Sequence, residues 1–247
     1  TLSLHDALPI YGLVRQYSLC GQPDGRNRYR IAVLNAVNGR GGSRGMHELI
    51  LKNQLIEISP PRNAFRLQSD NQHKVLLAGG IGVTPLLAMA YELDRNLSSY
   101  ELHYFVRSRN LVAFQSELDE LNSSGCVFVH VDDEPDRLSL AQVVMNAPSG
   151  AHVYACGPKG FLSCIKETWQ NMGRSHEYFH FESFSPAVIT GGVSQFDVQI
   201  ASTGLTVQVN VDETVVEALA RHGVTIPISC EQGICGTCIT GINWHTS

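Results

Sequence analysis

The chain has 247 residues, with 18 Lys and Arg against 23 Asp and Glu, a formal net charge of −5. That balance, with no run of Lys and Arg, excludes a nucleic-acid footprint, and no apolar run reaches the ~20 residues that a bilayer span needs. At 43% apolar and 17% charged the composition is that of an ordinary soluble globular chain of one or two domains, and its seven cysteines, three of them in one short loop, suit a reducing cytoplasm better than a disulfide scaffold.

Residues 1–10 have no basic region leading into a long apolar run, so they are no signal peptide. The first informative stretch is Leu13-Val14-Arg15-Gln16-Tyr17-Ser18-Leu19, whose alternation predicts a strand. The Arg15 fork suits a phosphate, the Tyr17 ring can cover a planar cofactor and the Ser18 hydroxyl can bond a ring edge. The same pattern fits an ordinary strand with a surface arginine. Residues 29–34 predict a second strand, and Asn38-Gly39-Arg40-Gly41-Gly42-Ser43 is a turn at minimum. Gly41, Gly42 and Ser43 can present amides and a hydroxyl to a phosphate, or simply close a hairpin. Residues 49–59 predict a further strand pair, broken by Pro60-Pro61. Residues 1–68 therefore read as part of an antiparallel β-barrel, short of the about six strands that close one, and so as a domain cut at its front.

From Lys74 the period changes. Val75-Leu76-Leu77-Ala78 is a continuous apolar run, as expected of a strand buried on both faces. Gly79-Gly80-Ile81-Gly82-Val83-Thr84-Pro85 follows, and residues 86–93 have helical character. Strand, glycine turn and helix are the setting in which pyrophosphate meets a helix N-terminus, although Pro85 replaces the last glycine of the full fingerprint. Thr84 suits an N-cap and Pro85 the first helical position. Strands at 101–106, 126–131, 152–155 and 178–181 then alternate with helices at 114–122, 138–145 and 160–169. Residues 69–182 thus predict an α/β domain with a parallel sheet. Arg107 falls just past a strand end, on the edge where such sheets bind ligands; a solvated arginine is the equal alternative. Cys156-Gly157-Pro158 ends another strand on that edge, where Cys156 can pack beside a cofactor ring. Cys20, Cys126 and Cys164 read as inert core thiols.

Phe181-Glu182-Ser183-Phe184 ends the sheet, and residues 183–194, with Pro and Gly-Gly, predict a linker. Residues 196–200 and 206–209 predict a hairpin and 213–221 a helix. The loop Ser229-Cys230-Glu231-Gln232-Gly233-Ile234-Cys235-Gly236-Thr237-Cys238 follows. Its C-x4-C-x2-C spacing is the first three-quarters of the plant-type [2Fe–2S] pattern, and the second thiol pair expected of a zinc ribbon is missing. Cys230, Cys235 and Cys238 are the candidate iron ligands of a small α+β module over residues 195–247, too short to hold a core without its metal centre.

Taken in order, R-Q-Y-S, G-R-G-G-S, G-G-I-G-V-T-P, C-G-P, F-E-S-F and S-C-E-Q-G-I-C-G-T-C resemble the phthalate dioxygenase reductase family, most nearly its vanillate O-demethylase reductase branch. The resemblance runs from about Leu13 to Thr240. It implies a multidomain chain in which an FMN-binding barrel, an NAD-binding domain and a C-terminal ferredoxin are fused, and in which electrons pass from NADH through FMN to the cluster. Arg15, Tyr17 and Ser18 would then hold FMN, with Gly41, Gly42 and Ser43 at its phosphate. Gly80, Gly82, Thr84, Cys156, Gly157 and Arg107 would line the NAD(H) site, and Phe184 would stack on the flavin. Ser18, Cys156 and Phe184 would flank the hydride path. The implied partner is a terminal Rieske oxygenase met transiently by a cytoplasmic monomer. Leu34 stands where the phthalate enzyme has a phosphate-binding Lys. No fourth cysteine follows Cys238, so the chain reads as truncated at both ends, with an absent or labile cluster expected; the rival readings are a non-catalytic nucleotide-binding or electron-carrier remnant and a ferredoxin–NADP reductase-like flavoenzyme.

Overall fold

A computed structural model of the chain describes all residues except 1–2, 11–12, 23–27, 37–40, 125, 136, 185–193, 228–237, 239 and 242–247. In chain order, β1 (Ser3–Ile10) and β2 (Leu13–Ser18) pair antiparallel, with Ala7 opposite Arg15 and Leu4 opposite Tyr17. The strands expected at 29–34 and 49–59 do not form. Isolated bridges stand in their place: Leu19 pairs with Ile31, and single bridge positions fall at Ile58 and Arg62. Many of the apolar residues that suggested strands lie exposed, among them Tyr29, Leu34, Leu51, Ile56, Ile58 and Leu55, the last at 99%. An apolar row gains nothing by extending when no layer faces it.

The turn expected at 41–43 is the entry to a short helix, α1 (Gly42–Glu48), reached through Gly41 at φ 89°, a left-handed value that glycine takes without a Cβ penalty. Among the described residues the expected partial barrel is thus a two-stranded sheet, isolated bridges and one short helix. Its small core gathers Tyr17, Ile31, Met46 and Ile50 around Leu19.

The alternating pattern from Lys74 onward folds as expected: β3 (Lys74–Gly79), α2 (Val83–Arg95), β4 (Tyr100–Val106), α3 (Gln115–Leu121), β5 (Val127–Val131), α4 (Leu140–Asn146), β6 (His152–Cys156), α5 (Lys159–Asn171) and β7 (Phe179–Glu182). The five strands form one parallel sheet in the order β5-β4-β3-β6-β7. β3 is central and buried throughout. Its alternate residues feed two cores. Leu76 and Ala78 join Leu86, Leu87, Met89 and Ala90 of α2 on one face; Val75 and Leu77 join Val143, Val144, Ile165 and Trp169 on the other. Growth runs from β3 outward to β5 and then returns to β6, so the switch point lies between β3 and β6.

Lys74 begins β3 with only 1% of its surface exposed. Its ammonium donates to the carbonyls of Asp70 at 2.8 Å and Gln72 at 2.7 Å and pairs with the Asp70 carboxylate, so the buried charge is satisfied. Residues before the sheet are tied onto it by Arg30, which pairs with Glu117 and lies 5.1 Å over the Phe114 ring. The Gln68 N–H also donates to the Tyr154 hydroxyl at 2.8 Å.

The chain divides into two compact units, Thr1–Ser185 and Pro186–Ser247. In the second, β8 (Phe196–Gln199) and β9 (Thr206–Val209) form the expected hairpin. α6 (Val215–Arg221) starts with a capping box between Thr214 and Glu217, which satisfies its first amides. Val207, Val209, Ala218 and Leu219 make the core. Among the described residues no helix is long and apolar enough to cross a membrane.

Candidate active site at the edge of the parallel sheet

The two glycines that follow β3 differ in what surrounds them. Gly80 has φ 54°, and a Cβ built on it meets nothing within 4 Å. It combines a left-handed turn with open space, as close approach of a ligand to the backbone requires. A Cβ on Gly82 would lie 2.1 Å from the Cys156 carbonyl oxygen and 2.4 Å from its carbon. Gly82 is therefore demanded by the packing of the turn against β6.

α2 also starts earlier than expected. A 3-10 turn over Gly80–Gly82 runs straight into it, Gly82 occupies the N-cap and no side chain caps it. Thr84 is the second helical residue, buried, with its hydroxyl donating to the Ile81 carbonyl at 3.0 Å. Pro85 is the third. It still costs no hydrogen bond, because the first four amides of a helix have no internal acceptor.

β6 ends beside this turn. Cys156 is completely buried, and burial, followed by the charge of Glu182, pushes its thiol well above the ordinary range. It is thus a neutral, poorly nucleophilic sulfhydryl. Gly157 allows the close approach of Phe161, whose ring carbon would be 2.7 Å from an added Cβ, and of Gly79 at 3.1 Å. Cys156 and Glu182 are register partners across β6 and β7. The Ser18 hydroxyl, at the end of β2 and buried, donates to the Glu182 carboxylate at 3.2 Å. Burial raises the Glu182 carboxyl, and the Ser18 hydrogen bond opposes that rise.

Residues 18, 156 and 182 thus converge at the carboxyl edge of the sheet from three parts of the sequence. Glu182 was not singled out in the sequence. Its only signal is its place at the end of the last parallel strand, inside F-E-S-F. Phe184 lies two residues beyond β7 and is 40% exposed.

The second group is built on β2 and α1. A Cβ on Gly42 would fall 2.6 Å from Arg15 Nε, so the guanidinium lies against the start of α1. The Ser43 hydroxyl accepts from the Ala36 N–H at 3.2 Å. Tyr17 is half-buried; burial raises its phenol, and the Arg15 charge offsets part of that. The structure therefore gathers Arg15, Tyr17, Gly41, Gly42 and Ser43 into one region. Leu34 is 60% exposed. Arg107 lies exposed beyond β4, on the same edge as Gly80 but on the far side of β3 from Cys156. In the second unit Cys230 and Cys235 lie outside the described residues. Cys238 is described, half-buried with a free thiol.

Comparison with known proteins agrees with this architecture. The profile of the 2Fe-2S iron-sulfur cluster binding domain family matches residues 198–245. The chain is 43% identical over 233 residues to a vanillate O-demethylase oxidoreductase of Pseudomonas putida, covering 94% of this chain and 74% of that protein. Among solved structures, phthalate dioxygenase reductase, described as a modular structure for electron transfer from pyridine nucleotides to [2Fe-2S], superposes with a TM-score of 0.70 at 33% identity, covering 96% of this chain and 74% of its own. An intact type IV self-sufficient cytochrome P450 monooxygenase superposes with a TM-score of 0.85 at 35% identity over 96% of this chain, which spans 31% of that longer one. A parallel sheet with glycines at its switch point, followed by a 2Fe-2S domain, and identity of this extent place the chain in the family of vanillate O-demethylase oxidoreductases and phthalate dioxygenase reductase, oxidoreductases that serve as reductase components of oxygenase systems.

Proposed function

We propose that this protein takes electrons from NADH, passes them through FMN to a 2Fe-2S centre, and delivers them as a monomer to a transiently bound Rieske-type oxygenase or demethylase of the vanillate or phthalate kind. The observation that carries this reading is the convergence of Ser18, Cys156 and Glu182 beside the open face of Gly80. A hydroxyl, a neutral thiol and a half-buried carboxyl at the carboxyl edge of a parallel sheet suit two uncharged rings laid against each other.

Flavin and cluster, when bound, supply the change from two-electron hydride transfer to one-electron transfer. This chain's residues do the holding and aligning. Arg15 presents a fork for the FMN phosphate with Gly41, Gly42 and Ser43 at its side. Tyr17 covers the flavin with its ring, Ser18 hydrogen-bonds its edge and Phe184 stacks on it. Gly80 lets the dinucleotide approach the backbone. Gly82 and Gly157 let the turn and the strand close up so that Cys156 borders the nicotinamide, and Thr84 fixes the turn through its bond to the Ile81 carbonyl. Arg107 faces the dinucleotide's phosphates. Glu182 fixes the Ser18 hydroxyl and holds a proton more readily than an ordinary carboxyl. Cys230, Cys235 and Cys238 would supply three of the four thiolates that hold a plant-type cluster.

An absorbance spectrum of the purified protein tests this. Flavin bands that bleach on adding NADH are expected, and a colourless preparation that takes up no flavin would leave only a nucleotide-binding or electron-carrier remnant.

A further inference from the structure

Among the described residues, the loops leaving β4 and β5 bring three cations and three carboxylates to the carboxyl edge of the sheet. The strand ends are held side by side: Val106 pairs with Val131, and the Asp132 N–H donates to the Val106 carbonyl at 3.0 Å. Arg109 is gripped by Glu134 through Nε at 2.9 Å and through Nη2 at 2.5 and 2.6 Å to the two carboxylate oxygens. Arg137 lies 3.2 Å from the Asp132 carboxylate, and its Nε donates to the Asp132 carbonyl at 3.4 Å. Asp133 adds an exposed negative charge. Arg107 is the exposed cation of this edge that has no hydrogen-bond or ion-pair partner among the described residues.

A dinucleotide with its nicotinamide at the β3–β6 switch point extends its adenosine half toward β4 and β5. A 2′-phosphate there would bring a charge of about −1.5 to −2 and would need a free arginine fork. A bare 2′-hydroxyl needs only an acceptor, which a carboxylate provides. We propose that Glu134, by occupying Arg109 next to the Asp132–Arg137 pair, makes this edge accept a ribose 2′-hydroxyl and refuse a 2′-phosphate. Exposed ion pairs are individually weak, so refusal does not rest on locking Arg109. A 2′-phosphate would have to displace one carboxylate and remain beside the others, since the Arg107 fork, unpaired among the described residues, is the one that the reading above gives to the dinucleotide's own phosphates. Glu134 and Arg109 are specificity-determining residues in this account, which rests on the dinucleotide-binding reading above.

Calorimetric titration of the full chain with 5′-AMP and with 2′,5′-ADP, the adenosine halves of the two cosubstrates, tests the inference without flavin or turnover. Wild type should bind 5′-AMP more tightly. Glu134→Ala should improve 2′,5′-ADP relative to 5′-AMP by about tenfold, and adding Arg109→Ala should cancel the gain. The kcat/KM ratio of NADPH to NADH should move the same way. If 5′-AMP binds but Glu134→Ala brings no relative gain, the inference is overturned and the nucleotide site stands. A gain that survives Arg109→Ala overturns the role of Arg109. If wild type binds neither ligand, the dinucleotide reading falls and the inference falls with it.

Discussion

Residues 74–182 and residues 3–68 belong to one compact unit, yet they are held together in different ways. Of the buried apolar side chains among the described residues, only Leu19, Cys20 and Phe65 come from the earlier stretch. Nearly all the rest of this unit's core lies in or between the strands and helices of the parallel sheet. A sheet covered by helices on both faces supplies each strand with its own neighbours, so an apolar run there has one outcome. A strand with alternating character supplies only half of its environment and needs a facing layer from elsewhere. The two stretches meet at the Ser18–Glu182 hydrogen bond, where the proposed chemistry is placed.

The sharpest test of this difference uses the sheet's tightest packing. Gly82→Ala forces a methyl to within 2.1 Å of the Cys156 carbonyl, where only backbone could yield. A loss of about 3 kcal/mol or more is expected in denaturant melts. Gly80→Ala adds a methyl into open space and meets only the penalty of a left-handed φ, about 1 kcal/mol. If the two variants melt alike, the close packing of the turn against β6 is not what holds this edge.

A smaller effect is expected where the sheet's first strand takes a charge inward. Hydrogen bonding from Lys74 is the largest reason that the Asp70 carboxyl is lowered to about 2, with the Gln72 N–H and His152 adding to it against the opposing cost of burial. Because the folded pKa lies below the ordinary 3.8, this stabilisation is complete above that pH and fades as pH falls toward about 2. Asp70 is itself 42% exposed, which screens the interaction, and Lys74 keeps its two carbonyls. Asp70→Asn should therefore lose about 1–3 kcal/mol at neutral pH. The gap from wild type should close on acidification to about pH 2, and a gap unchanged across that range would assign the loss to something other than the charge.

Legibility follows the same division. The sheet's strands could be read from residues 75–78, 101–106 and 152–155 because a doubly buried run leaves a local mark, and from 126–131 and 178–181, which are less buried, because they continue the strand–helix alternation. The switch-point glycines were legible as a pair but not as opposites, since whether a Cβ meets Cys156 or nothing is decided by a strand some seventy residues away. Thr84 was misplaced by two positions because a 3-10 turn and an α-helix share one local pattern. Glu182 was missed because a single carboxyl gains meaning only when Ser18 and Cys156 arrive beside it. Arg107 could be placed just past a strand end, but that Arg109, two residues on, is held by Glu134 on the neighbouring loop has no mark in the sequence. The strands read at 29–34 and 49–59 failed for the opposite reason: Ile31 and Ile50 reach the small core at Leu19, but Tyr29, Leu34, Leu51, Leu55, Ile56 and Ile58 lie exposed, with too little packed against them to hold a sheet.

The smallest expected effect bears on that failure most directly. Leu55 is 99% exposed while Leu87 of α2 is fully buried. Leu87→Ala should cost about 2–5 kcal/mol through lost burial and the cavity left behind. Leu55→Ser should stay within about 0.5 kcal/mol, since water already surrounds the side chain in the folded state. Both can be read from urea midpoints at an unchanged slope, which shows that the same surface is being exposed on unfolding. If Leu55→Ser instead costs more than about 1 kcal/mol, a side chain that touches nothing in this arrangement must be covered in the folded protein, because an exposed leucine has no transfer free energy left to lose. The row from Leu49 to Ile58 would then be an inner face after all, and the contrast between the two stretches would be one of missing neighbours rather than of sequence.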